Sequence, residues 1–522
     1  MRVALLTYST RPRGGVVHTL ALAEALAELG TEVDVWTLAR GGDTTFFRPV
    51  APGVGVRAVP FEARDDETVG ARIVRSIDTL RAAFDHAAYD VVHAQDCISA
   101  NAALPCVRTI HHLDVFTTPE LAACHERAVV EPTARICVSA SVAAEVREGW
   151  GLEPTVIPNG VDAARFEAGA RDAVRRAAWG DRLGDYVLAL GGIEPRKGSI
   201  DLLEAYAALR TRCPSLRLVI GGGETLFDYR DYRAAFDARA AALGVEPVVL
   251  GTVEEDALPA LVAQASALAM VSTKEGFGLA AMEALAAGVP VVARDLPVLR
   301  EVLGDAVAYG RDPLSIAAAL DGVLAAPPDA GAGRDLARSY TWSAAARRHL
   351  AFYAGLDRSG RPSAPVRASA QVRPVSRPTS GEQPTVPGSS VRRVDDPPAR
   401  PLRFLVVEDT EDIRWVTARM VQQLGHHADE AADGVEAVEA LQAATYDVML
   451  LDLSMPRMTG EDVVRWLRDN PEHGQGLRVV VVSAWGGERR GALDELGVDD
   501  YIAKPLRKAQ LVQLVESTEP RA

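Results

Sequence analysis

Short apolar runs alternate with longer amphipathic stretches over most of this 522-residue chain. Val3–Thr7, Val33–Thr37, Val91–His93, Val107–His111 and Ile136–Ser139 read as buried strands. A helical pattern over His18–Leu29 stops at Gly30. The rhythm restarts after Asn159 with Tyr186–Leu190, a helix near 199–210, Leu216–Ile220, Val248–Leu250, Ala267–Val271 and Val289–Ala293. Apolar strands interleaved with helices predict parallel sheets covered on both faces. Two such runs predict two doubly wound α/β domains, 1–165 and 166–356, facing a cleft. Ligands in such folds lie at the carboxyl ends of the strands. A third α/β unit, 402–516, shows strands at Phe404–Val407, Asp447–Leu451, Val479–Val482 and Tyr501–Ile502. Its length suits five strands.

Residues 357–401 break the pattern. They hold nine prolines, many serines and no aromatic residue, with eight basic against four acidic side chains. Such a segment cannot bury enough apolar surface to offset its ordering entropy, so it reads as a disordered or extended linker. The whole chain carries a formal charge of −15, which argues against general binding to nucleic acid or anionic membranes. No apolar run approaches the ~20 residues of a membrane span. The N-terminal apolar stretch is too short for a signal-peptide core. Five scattered cysteines without a Cys-x-x-Cys pattern read as reduced thiols, so the chain is expected to be cytoplasmic. Only four of the 56 basic residues are lysines: Lys197, Lys274, Lys504 and Lys508. An arginine-rich chain keeps lysine where a compact ammonium is needed.

The candidate chemistry falls into two groups. In the first, Gly14-Gly15 follows the first strand and opens the first helix, where backbone N–H groups favour anions. Gly191–Gly198 links the first strand and helix of the second domain, and its Arg196 and Lys197 can meet a diphosphate. In the run from Lys274 to Pro290, a helix is expected over Leu279–Ala287, capped by Gly288. That places Glu275 in the loop at the cleft and Glu283 about one turn inside. Gly278 and Leu279 present N–H groups at the helix start.

These residues resemble the retaining, family-4 class of GT-B glycosyltransferases over roughly 1–356. The resemblance rests on Glu275 and Glu283 with seven residues between them. It rests also on Gly14-Gly15, Val156–Asp162 at the crossover, Gly191–Gly198 and Leu218–Gly223, in the usual order. It implies two Rossmann-like domains, a final helix over Trp342–Leu356 crossing back onto the first, and a nucleotide-activated sugar donor (UDP-, GDP- or ADP-linked). It implies transfer with retention and no catalytic metal. Arg196 and Lys197 would neutralise the departing diphosphate, Glu283 would hold the ribose, and Glu275 would contact the sugar. His111 matches the histidine near the transferred sugar, with His112 a competitor. Many members carry arginine where Gly192 stands; if that charge is needed, Arg196 must replace it. The aromatic stretch Phe227–Phe236, which overlaps the Leu226–Tyr229 motif, reads as packing or part of a binding loop. The acceptor is not legible.

The second group lies at the strand ends of the third unit: Glu408-Asp409, Asp452, Ser483 and Lys504. Carboxylates crowded on one edge repel one another unless a divalent cation joins them, and oxygen ligands suit Mg²⁺. An aspartate so placed can attack a phosphoryl group. These residues resemble a response-regulator receiver domain with the flavodoxin-like (βα)5 fold. By that resemblance Asp452 is the phospho-acceptor, and the acidic pair is Glu408 and Asp409. Asp409, Asp452 and the Ser454 carbonyl would hold Mg²⁺. Ser483, Tyr501 and Lys504 are the switch residues. A sensor histidine kinase or phosphotransfer protein is the implied partner, and receiver pairing into a homodimer is compatible with a long linker. The first reading is therefore a phosphorylation-regulated glycosyltransferase. Its alternative is a signalling protein that binds a nucleotide sugar without turnover.

Overall fold

In the computed structural model, the described residues are all of 1–522 except 43, 63, 65–66, 115–118, 224–229, 357–400, 484–497, 505, 507 and 519–522. The proline-rich segment expected as a linker and the Leu226–Tyr229 motif lie outside them. The chain divides into two compact units, one ending at Ala354 and one holding the C-terminal α/β domain.

The first unit contains two parallel sheets. One comprises β1 (Arg2–Leu6), β2 (Glu32–Arg40), β3 (Val54–Phe61), β4 (Val91–Ala94), β5 (Val107–Ile110), β6 (Ala134–Cys137) and β7 (Thr155–Val156). Their order is β3-β2-β1-β4-β5-β6-β7. The other comprises β8 (Tyr186–Leu190), β9 (Arg217–Gly221), β10 (Val248–Gly251), β11 (Ala267–Met270), β12 (Val291–Arg294) and β13 (Ala308–Gly310), ordered β10-β9-β8-β11-β12-β13. Central strands such as β1 and β11 are buried along their length because helices cover both faces. Both orders reverse direction beside β1 or β8, so each lobe has a crevice at its strand carboxyl ends.

The first helix runs Gly14–Glu28, so the glycine pair opens it as expected, ahead of the His18 start of the apolar pattern. The helices Ser199–Arg210 and Leu279–Ala287 fall where the pattern placed them. Helix Ala163–Arg171 follows the crossover, and its Phe166 is fully buried in the second lobe's core. The last helix, Trp342–Ala354, returns to pack on the first helix. Gly160 permits this return, since a Cβ there would lie 2.3 Å from the Trp342 nitrogen.

The second unit is a five-stranded parallel sheet of β14 (Arg403–Val407), β15 (His427–Ala431), β16 (Val448–Leu451), β17 (Arg478–Ser483) and β18 (Asp500–Ala503), ordered β15-β14-β16-β17-β18. Four strands were not legible as apolar runs: β3, β7, β13 and β15. Each is a sheet edge, where exposure relaxes the demand for apolar side chains.

Candidate active site

Glu275 sits in the loop between β11 and helix Leu279–Ala287. Its Oε1 accepts hydrogen bonds from Lys197 Nζ at 2.7 Å, Ser272 Oγ at 2.9 Å and Arg196 Nη1 at 3.4 Å. Burial alone would raise its pKa. Lys197 and Arg196 outweigh burial and hold it at about 2. The two cations come from the 3₁₀ turn Pro195–Lys197 after β8. Gly191 makes room for Lys197, because a Cβ at residue 191 would lie 2.6 Å from Lys197 Cε.

Gly192 has φ +80°, and a Cβ there would meet the Gly223 carbonyl oxygen at 2.8 Å. The loops after β8 and β9 thus pack backbone to backbone, which disfavours any side chain at residue 192. Gly278, at φ +93°, caps the helix start, and Leu279 is its first residue.

Glu283 faces a different set of charges. Desolvation pushes its pKa up to about 8; Arg165 opposes this, while Glu255 and Asp162 add to it. The two acids of the Glu275–Glu283 motif therefore differ in state near neutrality: one is a carboxylate, the other is largely a protonated acid.

His111 directly follows β5 and lies against the first helix. A Cβ on Gly15 would be 3.8 Å from its Cδ2 and Nε2 atoms, while Gly14 has open space around it. Gly276 brings the Glu275 loop onto the same residue: a Cβ at residue 276 would overlap the His111 carbonyl oxygen, at 1.5 Å. His112 instead bonds Asp114 at 2.9 Å through Nε2. Behind His111 lies a buried histidine cluster. The His18 ring meets it edge-on at 4.7 Å, and His18 Nδ1 pairs with Asn159 Oδ1 at 2.9 Å. His349, from the last helix, lies 5.7 Å from His93, whose Nδ1 pairs with the Tyr353 hydroxyl at 2.6 Å. Burial holds all four imidazoles below their usual pKa, His18 at about 3 and His349 at about 4.

The first lobe also gathers arginines that sequence reading passed over. Arg11 and Arg13 follow β1, Arg40 ends β2, and Arg72 lies in helix Val69–Ala83 after β3. These three strands are neighbours, so the arginines share one sheet edge. Arg13 Nη1 donates to the Tyr8 hydroxyl at 3.1 Å. Burial, with Arg72, Arg13 and Arg11 nearby, lowers Arg40 to about 10. Their signal was dispersed over sixty residues of sequence.

In the second unit, Lys504 Nζ bridges Glu408 Oε2 at 2.6 Å and Asp452 Oδ2 at 2.8 Å. Oxygens of Glu408, Asp409 and Asp452 lie within 4.8 Å of one another. Burial pushes the Glu408 carboxyl up; Lys504 opposes this, and Asp452 and Asp409 reinforce it. Three acids against one lysine is a donor set that fits a hard divalent cation. Ser454 is exposed, and its N–H points to Asp452 Oδ1 at 3.4 Å. Ser483 ends β17 opposite Ala503, and Tyr501 lies on β18. A Cβ on Gly460 would meet the Asp452 carbonyl oxygen at 2.2 Å, which accounts for glycine after this loop.

Residues 182–338 match the glycosyl transferases group 1 family, 12–165 match glycosyltransferase family 4, and 404–516 match the response regulator receiver domain. The chain is similar to D-inositol 3-phosphate glycosyltransferase of Geodermatophilus obscurus, 31% identical over 67% of this chain and 85% of that protein. The protein of that name from Frankia alni is 33% identical, over 66% and 95%. By structure, the chain is similar to Anabaena Alr3699/HepE, solved with UDP and glucose, at TM-score 0.53 and 18% identity over 68% of this chain and 99% of that one. Sucrose-phosphate synthase from Thermosynechococcus elongatus gives TM-score 0.55 and 20% identity over 68% and 98%. These structural likenesses establish the GT-B fold. Among the described residues, no helix is long and apolar enough to cross a membrane.

Proposed function

This chain belongs to the glycosyl transferases of group 1 and carries a response regulator receiver domain; from that premise we propose a retaining transferase that uses a nucleoside-diphosphate sugar and is controlled by phosphate on Asp452. The observation that carries the reading is the Lys197–Glu275–Arg196 cluster at the cleft, with His111 beside it. It brings two cations onto one carboxylate oxygen, with Glu194 and Asp114 also within electrostatic reach of them. An arriving diphosphate would draw Lys197 and Arg196 toward its oxygens and leave Glu275 free for the sugar. As the glycosidic C–O bond breaks, the negative charge growing on the diphosphate meets those cations already in place. No metal is needed for that role. Glu283 would accept a ribose hydroxyl after losing its proton, so donor binding should tighten as pH rises toward 8.

The acceptor is read from the other lobe. Four arginines on the β3-β2-β1 edge favour a polyol or sugar with an anionic group such as a phosphate. The names of the curated relatives agree with that class. In the receiver, Asp409, Asp452 and the Ser454 carbonyl would hold Mg²⁺, which supplies charge neutralisation at a phosphoryl group. The Asp452 carboxylate attacks phosphorus as the donor's own bond to phosphorus breaks, the P–N bond of a phosphohistidine releasing the imidazole or the P–O bond of acetyl phosphate releasing acetate, and Lys504 then pairs with the phosphoryl oxygens.

The test is a panel of nucleotide sugars offered to the purified chain, with release of free diphosphate measured with and without a polyol phosphate. Release by the wild type that is lost in Glu283→Ala supports the reading. Binding without release from any donor, under any acceptor, supports the non-catalytic alternative.

A further inference from the structure

We infer that Lys274 and Glu301 are positioning residues that form a two-point clasp across the cleft, holding the Glu275 loop on His111 before any substrate arrives. Lys274 lies in the loop after β11, and its Nζ donates to the Leu113 carbonyl at 3.1 Å, in the loop after β5. Glu301 lies in helix Pro297–Leu303 after β12. Its Oε1 accepts from the Ala140 N–H at 2.7 Å; its Oε2 accepts from the Ser141 N–H at 2.8 Å and hydroxyl at 2.6 Å. Ala140 and Ser141 open the eleven-residue helix that follows β6. Their N–H groups have no partner within that helix, and the dipole there favours a carboxylate.

The arrangement is paired. β5 and β6 are neighbours in the first sheet, as β11 and β12 are in the second. Each contact thus joins one strand end to its counterpart in the other lobe. Between the two contacts lies the close approach of Gly276 to the His111 carbonyl. Lobes that parted would separate Glu275 from His111. In the sequence Lys274 stands out as one of four lysines and as the start of the run to Pro290, with no role of its own, and Glu301 is not singled out.

A clasp of this kind raises the fraction of molecules already competent to bind. Without it the donor must close the cleft itself, so its apparent KM rises while kcat at saturation is largely kept. We expect Lys274→Met and Glu301→Ala each to raise donor KM about tenfold with kcat within about twofold. Lys274→Arg, which can still reach the carbonyl, should restore KM. This kinetic half rests on the transferase reading.

Hydrogen exchange on the full chain does not rest on it. The amides of Ala140 and Ser141 should exchange faster in Lys274→Met, although Lys274 touches neither. That result, with rescue by Lys274→Arg, supports the clasp. Amides that stay protected in Lys274→Met, with deprotection confined to Glu301→Ala, would overturn it, because each contact would then be merely local.

Discussion

Each unit holds a lysine ammonium against a sequestered carboxylate: Lys197 with Glu275 at 2.7 Å, and Lys504 with Asp452 at 2.8 Å. What differs is the company. Beside Glu275 stands a second cation, Arg196, and the acid is held down to about 2. Beside Asp452 stand two more acids, and burial with that repulsion pushes Glu408 up. One site sets two cations on a single acid and suits an anion; the other sets three acids around one lysine and suits a cation. The pair does not define the ligand; its immediate partners do.

The comparison breaks most completely at the receiver. With Mg²⁺ and acetyl phosphate, the wild type should take up phosphoryl label and Asp452→Asn should take up none; label persisting in the variant would mean that another group is the acceptor. In the cleft, Glu275→Gln should lower transfer by about 10² or more, by analogy with the loss of one preorganised polar group at a reacting centre. Activity within a few-fold of wild type, with donor binding intact, would remove Glu275 from the chemistry.

Acidity separates the units next. His18, His93, His111 and His349 are buried, with pKa values held below the ordinary value near 6.5. In that range the unfolded chain binds more protons, so their contribution is complete above pH 6.5 and is lost as pH falls toward about 4. The slope is up to about 1.4 kcal/mol per pH unit for each histidine. The receiver has one such residue, the partly buried His426, so its melting should move less over this interval. Calorimetry from pH 7 to 5 checks this; equal shifts of both transitions would contradict it. The smallest effect expected is that of Gly192→Arg, the residue that the family resemblance would lead one to expect there. Here it should lower stability by roughly 1–3 kcal/mol, the cost of a strained backbone, read by denaturant titration, and it should not raise activity.

Much of this was legible in the sequence, for identifiable reasons. Central strands such as β1, β8 and β16 must be apolar on both faces, so they stand out as runs. Edge strands need not be, and His427–Ala431, with Asp and Glu inside it, carries no such signal. Lysine scarcity pointed at Lys197, Lys274 and Lys504, each of which contacts a carboxylate or carbonyl in the fold. The arginine edge and Glu301 were hidden, because their meaning depends on which strands become neighbours. The state of Glu283 was hidden too, since desolvation is a property of packing and not of spacing.

The central claim is that Lys197 and Arg196 in the cleft do what a metal would otherwise do. Its most direct test is release of nucleoside diphosphate from the donor that proves active, by the intact chain, with and without a chelator, in wild type and Lys197→Met. The account predicts release that the chelator leaves unchanged and that falls about 10²–10³-fold in the variant. Release that requires a divalent cation, or that survives in Lys197→Met, would contradict it.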